Sequence, residues 1–209
     1  MTASTAEEYW EGFYRERDKV WTGNPNPLLA REAAGLVPGS ALDLGCGEGG
    51  DALWLAGRGW RVLAVDVAEV ALRRGAAHAA DAGVADRITW ERHDLSRTFP
   101  EGAFDLVSAQ FLHSPVAADG ERDEILRRAA AAVAPGGTLL LAAHSTFPTW
   151  MTDPPKIHLP TNASQLEALA LDPTEWTVLT AALIDRDLPG PEGQPGTRTD
   201  SLLRITRRK

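Results

Sequence analysis

Six residues constrain this chain more than any others: Gly45-Cys-Gly-Glu-Gly-Gly50, set between the apolar run Ala41-Leu-Asp-Leu44 and a helical stretch from Asp51 to Ala56. Glycine tolerates positive φ and lets another molecule approach the main chain closely, so such a loop makes a sharp strand-to-helix turn. The helix after it then points its positive N-terminus at whatever lies above the loop. Gly45-x-Gly47-x-x-Gly50 also matches the dinucleotide fingerprint by letter, a weak signal alone. Its neighbours sharpen it, because Asp43 stands inside the strand two residues before the first glycine.

Beyond the loop the chain becomes regular. Arg61–Val65 reads as a strand ending at Asp66, Ala68–Ala82 as an Ala-rich helix stopped by Gly83, and Ile88–Arg92 as a strand ending near Asp94. Phe104–Ser108 is a fourth strand, and Asp119–Val133 a helix with acids early and arginines late. Pro135-Gly-Gly predicts a turn into a fifth strand, Thr138–Leu141. Strands alternating with helices at this spacing predict an α/β, Rossmann-like seven-stranded sheet, mostly parallel, with helices on both faces. Residues 145–162 carry four prolines and read as a loop or lid. Gln165–Leu171 is helical, and Trp176–Asp185 and Ser201–Thr206 predict a C-terminal antiparallel hairpin at the sheet edge.

Before the first strand, Ser4 and Glu7 suggest a capping box, and Tyr9, Trp10, Phe13 and Tyr14 recur at helical spacing. Asn26 can cap a second helix with Pro27 at its first position. Tyr14 and Trp21, with Trp150 from the later loop, can either pack as core or cover a dry cavity. The expected organisation is a single domain, 1–209, with residues 1–40 as a helical lid and 41–209 as the core.

Composition excludes several classes. With 209 residues and a net charge of −8, the chain can bury a full core, and its acidic surface argues against nucleic acid. The single cysteine, Cys46, allows no internal disulfide and reads as a small buried filler. The start of the chain lacks the pattern of a signal peptide, and no run is long enough to span a membrane. A cytoplasmic protein, monomer or homodimer, is expected.

Taken together, Asp43-Leu-Gly-Cys-Gly-Glu-Gly, Asp66 and Asp94 resemble the motifs of class I S-adenosylmethionine-dependent methyltransferases, over about residues 40–145. The resemblance implies that Asp43, Gly45 and Gly47 hold the methionine part of the cofactor. Asp66 would hold the ribose and Asp94 read the adenine, with Val67, Leu95 and Gln110 as further cofactor contacts. The N-terminal aromatics and Trp21-x-Gly-x-Pro-Asn26 are loosely similar to small bacterial thiopurine and tellurite methyltransferases. The implied function is methyl transfer to an O, S or N atom of a small molecule. Two alternatives stand beside it: a cofactor-binding relative without turnover, and a nicotinamide-dependent oxidoreductase. Against the latter, Asp43 would set a carboxylate against a pyrophosphate, whereas S-adenosylmethionine brings a cationic amino group.

His113 and His144, after the fourth and fifth strands, are the candidate catalytic bases. His78 and His158 read as solvent-exposed, and His93 as turned away from the adenine. Ser108, Ala109 and Gln110 supply no acidic cluster, so no metal is expected. Asp153-Pro-Pro-Lys156 resembles the run of amino-methylating enzymes but comes after the fifth strand, and reads as a proline-rich loop.

Overall fold

The computed structural model describes residues 5–20 and 22–209. Seven strands form one sheet: β1 (Ser40–Leu44), β2 (Arg61–Asp66), β3 (Ile88–Arg92), β4 (Phe104–Gln110), β5 (Val133–His144), β6 (Trp176–Asp187) and β7 (Thr197–Arg207). Their order is β3-β2-β1-β4-β5-β7-β6. The first five run parallel, and β7 returns antiparallel to both β5 and β6. The expected hairpin is therefore present, with β6 outermost.

The helices are α1 (Ala6–Arg15), α2 (Pro27–Ala33), α3 (Gly50–Gly57), α4 (Glu69–Asp81), α5 (Glu121–Ala131) and α6 (Asn162–Leu169). Strand alternation sorts the core into two layers. Leu42, Leu44, Val107, Leu139, Leu141 and Leu203 meet α5 on one face. Ala41, Leu106, Leu140, Ala142 and Leu202 meet α2 and α3 on the other. Both layers are continuous across the sheet, as a parallel sheet covered on both faces requires.

Three local readings change. The α1 capping box joins Thr5 to Glu8, whose side chain and backbone bond reciprocally; Ser4 lies outside the described residues. Pro135-Gly-Gly does not precede β5 but sits within it, where the pairing with β4 shifts register between Phe104 and Leu106. Gly136 supplies the positive φ of 83° that this irregularity needs. Both late strands are longer than their apolar letters suggest, because polar residues continue the ladder: Asp185↔Thr199, Arg186↔Arg198 and Asp187↔Thr197.

The chain reverses its winding between β1 and β4, which are direct neighbours, with Asp43 opposite Ser108. In open α/β sheets ligands bind beyond the strand ends at such a point.

Candidate active site

The glycine loop lies at that point. Gly45, Gly47 and Gly49 have φ of 69°, 54° and 85°. The Gly45 and Cys46 amides both donate to the Val65 carbonyl, at 2.9 and 3.0 Å, which ties the loop to the end of β2. A Cβ on Gly45 would stand 2.7 Å from Leu112 Cδ1, and one on Gly49 would stand 2.4 Å from the Trp90 ring. Side chains at these positions would collide with the structure itself.

Three carboxylates surround the loop. Asp43 is 2% exposed, and its Oδ2 has no hydrogen-bond partner among the described residues. Burial, then the charges of Asp51 and Asp66, push its pKa well above the ordinary carboxylate value. Asp51 is pushed up to about 6 by burial, which the Asn26 amide only partly offsets. Asp66 is also raised by burial, against amides that favour its charged form. Its Oδ2 accepts from Gly47 N and its Oδ1 from Ala68 N, each at 2.9 Å. Each oxygen keeps a further lone pair for another donor.

A second orphan lies across the switch point. Gln110 Nε2 donates to Ser108 Oγ and the Leu140 carbonyl, which leaves its buried Oε1 unsatisfied. Two buried acceptors and a clustered negative charge ask for a cationic, donor-bearing ligand. S-Adenosylmethionine, with its ammonium and sulfonium, fits that demand.

Asp94 is half-buried at the end of β3 and already serves its own turn. Its Oδ1 accepts from Ser96 N and Oγ, and its Oδ2 faces Arg97 Nε at 3.4 Å. Leu95 beside it is buried, and Val67 is half-buried with its carbonyl accepting from Arg92.

The two histidines come together. His113 and His144 have ring centroids 5.8 Å apart, and His144 stacks on Phe111 at 4.4 Å. Phe111 takes φ of 53°, rare for a bulky residue, at the end of β4. His113 Nδ1 lies 2.5 Å from the Phe111 carbonyl, so it carries the proton. His144 Nδ1 lies 2.8 Å from Asp200 Oδ1, which fixes the same tautomer. Each imidazole therefore keeps Nε2 as an acceptor. His113 is open to solvent on one side, yet desolvation of the other lowers its pKa. The Phe111 carbonyl opposes this, while His144, Arg122 and Arg198 reinforce it.

Sequence reasoning missed Asp200. It is 1% exposed on β7, directly opposite His144, and also accepts from Arg186 Nε at 2.6 Å. Burial alone would raise its pKa, but the bonds from His144 and Arg186 outweigh it and hold the carboxylate ionised. The available signal was an acid two residues before the apolar centre of β7, Leu202, Leu203 and Ile205, where a buried carboxylate is tolerated only when paired.

The remaining aromatics divide. Tyr14 is buried against Ala68, Val70 and Ala71 at the start of α4. Next to it, Trp10 Nε1 reaches Ser114 Oγ, and Glu11 accepts from Val70 N, so α1 bridges from the end of β2 to the loop after β4. Trp150 donates to the Leu188 carbonyl and packs on Gly196, which ties the proline-rich loop to the hairpin. Trp21 lies outside the described residues. His78 corrects the expectation of an exposed residue: it is half-buried, with Nδ1 near the Glu48 carbonyl. Cys46 is half-buried as well, at the margin of the core. No cluster of His, Cys, Asp and Glu suited to a metal occurs among the described residues.

A family model described as a methyltransferase domain matches residues 41–137. The 2-heptyl-1-hydroxyquinolin-4(1H)-one methyltransferase of Mycobacteroides abscessus is 32% identical over 161 residues, covering 75% of this chain and 67% of the relative. The N-methyltransferase NodS of Bradyrhizobium japonicum, solved with S-adenosylhomocysteine, superposes with a TM-score of 0.67 at 15% identity, covering 98% of this chain and all of that one. TehB of Haemophilus influenzae gives 0.66 at 17% identity, over 98% of this chain and 68% of its own. Other curated relatives, such as the thiopurine S-methyltransferase of Azotobacter vinelandii, match a shorter stretch, 39% identical over 72 residues and 33% of that protein. The nicotinamide reading is set aside, and the chain belongs to the class I S-adenosylmethionine-dependent methyltransferases.

Proposed function

We propose that this enzyme methylates a protonated O, S or N atom of a planar small molecule, held between the cofactor loop and the His113–His144 pair. Bound S-adenosylmethionine supplies a methyl on a positive sulfur, and the thioether that departs is neutral. Asp43 and the loop at Gly45 and Gly47 would hold its methionine end. Asp66 and Val67 would hold the ribose, and Asp94 and Leu95 the adenine, with Gln110 Oε1 as an added acceptor. The acceptor's X–H proton passes to an Nε2 lone pair as the X–C bond forms, so the site gains the proton that the product loses.

The observation that carries this reading is the matched pair of imidazoles with Nδ1 occupied and Nε2 open. Phe111, stacked on His144, offers a flat wall for a ring. The hydroxylated quinolinone in the name of the Mycobacteroides relative is an acceptor of that kind. Of the expected lid over residues 1–40, α1 is the part that closes over the strand ends, through the Trp10–Ser114 bond, whereas α2 packs with α3 in the core of the same domain. The acidic surface argues against nucleic acid as a partner. No helix among the described residues is long and apolar enough to cross a membrane. A cytoplasmic monomer or homodimer is the setting we infer, with no metal required.

The test is a transfer screen with labelled S-adenosylmethionine over phenols, heteroaryl hydroxyls, thiols, carboxylates and amines. On any accepted X–H substrate, His113→Ala or His144→Ala should lower turnover by about 10²–10⁴-fold while cofactor affinity holds. Native turnover in both variants would refute the proposal.

A further inference from the structure

Next to the two imidazoles the hairpin carries more positive charge than it neutralises. Arg186 on β6 and Arg198 on β7 are direct cross-strand partners. Like charges in that relation destabilise a sheet unless something answers them. Asp200 answers one: its Oδ2 bonds Arg186 Nε, and its Oδ1 is taken by His144. No hydrogen bond or ion pair reaches the Arg198 side chain among the described residues, and its Nε is buried without a partner; Asp200 favours its charge only through space. Alternation along β7 puts Arg198 on the same face as Asp200, the face that His144 occupies on β5. The acids nearest in sequence do not help, because Asp185 and Asp187 alternate to the opposite face of β6, where Asp185 takes the Thr199 hydroxyl. Arg122, beyond His113, spends its guanidinium on the Leu112 carbonyl and Gln165 Oε1, neither of them charged. In a chain with a net charge of −8, this is a local inversion of sign.

The geometry points to a subsite for an oxyanion at Arg198, so we infer that the methyl acceptor is an acidic molecule, anchored by an anionic oxygen while its reacting atom faces His144 Nε2. The inference rests on the placement of the acceptor between the imidazoles proposed above, and adds to it the charge of the substrate. A guanidinium matches a planar carboxylate or enolate in shape as well as charge. Its unanswered Nε costs stability in the free protein, and a bound anion removes that cost. Asp200 then has two tasks: it holds His144 in the reactive tautomer and stops Arg186 from competing for the same anion.

The probes are 4-hydroxybenzoate and its neutral isostere 4-hydroxybenzamide, titrated calorimetrically into protein loaded with S-adenosylhomocysteine. The benzoate should bind tighter by about 10–150-fold, the range of a hydrogen bond to a charged group. Arg198→Gln should bring the two affinities to within about threefold, and Arg198→Lys should keep part of the difference, since it retains charge without the fork. Thermal stability and S-adenosylhomocysteine affinity of both variants report that the fold and the cofactor site are intact. Imidazole ¹⁵N shifts of His113 and His144 should move with the benzoate. Equal binding of the two probes, a preference untouched in Arg198→Gln, or no saturable binding of either probe overturns the subsite alone. A benzoate that binds through Arg198 but leaves both imidazoles unmoved overturns the acceptor placement, and the assignment of the subsite with it.

Discussion

Asp43→Asn should make the free protein more stable and the enzyme a poorer binder of S-adenosylmethionine. Wild-type Asp43 is 2% exposed, has one orphaned oxygen, and shares its surroundings with Asp51 and Asp66. An unsatisfied buried polar atom costs about 1–3 kcal/mol, and like charges add to it. Asparagine keeps the shape and removes the charge. The expected gain is about 1–2 kcal/mol, which for a chain of this size is a rise of about 2–8 °C in Tm. The cationic end of the cofactor loses its carboxylate in the same variant. That loss is worth about 1.5–3 kcal/mol, or about 10–150-fold in Kd.

The pH dependence fixes the sign. A carboxyl group whose pKa is raised by folding is harmless below its unfolded value, about 3.9, because both states hold the proton. As pH rises through the raised folded value, the native state must either keep a proton that the unfolded chain has lost or bear the buried charge. The advantage of Asp43→Asn should therefore be small near pH 4 and larger at pH 8. Asp51, at about 6, carries its own penalty between about pH 4 and 6 in both proteins, so it leaves the difference between them unchanged. Scanning calorimetry of both proteins at pH 5 and 8, with and without S-adenosylmethionine, measures all of this. A variant less stable than wild type at pH 8, or one that binds the cofactor equally well, would refute the argument.

Asp200→Asn should lower turnover on a protonated acceptor by about 10²–10⁴-fold, because the amide no longer enforces the Nδ1–H tautomer of His144, and the loss should be read in kcat more than in cofactor Kd. Gly45→Ala should destabilise the fold and abolish cofactor binding, since the added methyl meets Leu112 at 2.7 Å at a φ of 69°; calorimetry with S-adenosylmethionine checks it, and native affinity would remove the loop from the site. Hydrogen exchange over residues 5–35 should slow when the cofactor binds, and Trp10→Phe should weaken that response by removing the bond to Ser114. Equal protection in both states would make α1 ordinary core.

The parallel half of this fold could be read from the sequence because its central strands are buried on both faces and so appear as short, mainly apolar runs, as at 41–44 and 62–65, while the edge strand β3 is largely exposed. Asp43 and Asp66 stood out for the same reason, since an acid that interrupts such a run must have something to do there. The antiparallel half obeys a weaker grammar. β6 is an edge strand, alternately exposed, with Leu179 and Leu183 facing solvent, and its polar end Asp185–Asp187 carries no hydrophobic signal. The register that sets Asp200 opposite His144, and Arg198 opposite Arg186, depends on pairing across 56 and 12 residues of chain. Nothing local encodes those distances, because the connection from β5 to β6 runs through a proline-rich loop and α6, and the register comes from packing Leu202 and Leu203 into opposite layers. One step of slippage would turn Leu203 out of its layer and Asp200 into the α5 core. The apolar pattern of β7 thus holds Asp200 against His144. A polar substitution at Leu202 should uncouple Asp200 from His144 before it unfolds the sheet, and the imidazole ¹⁵N shifts of His144, followed beside thermal melting, would show which comes first.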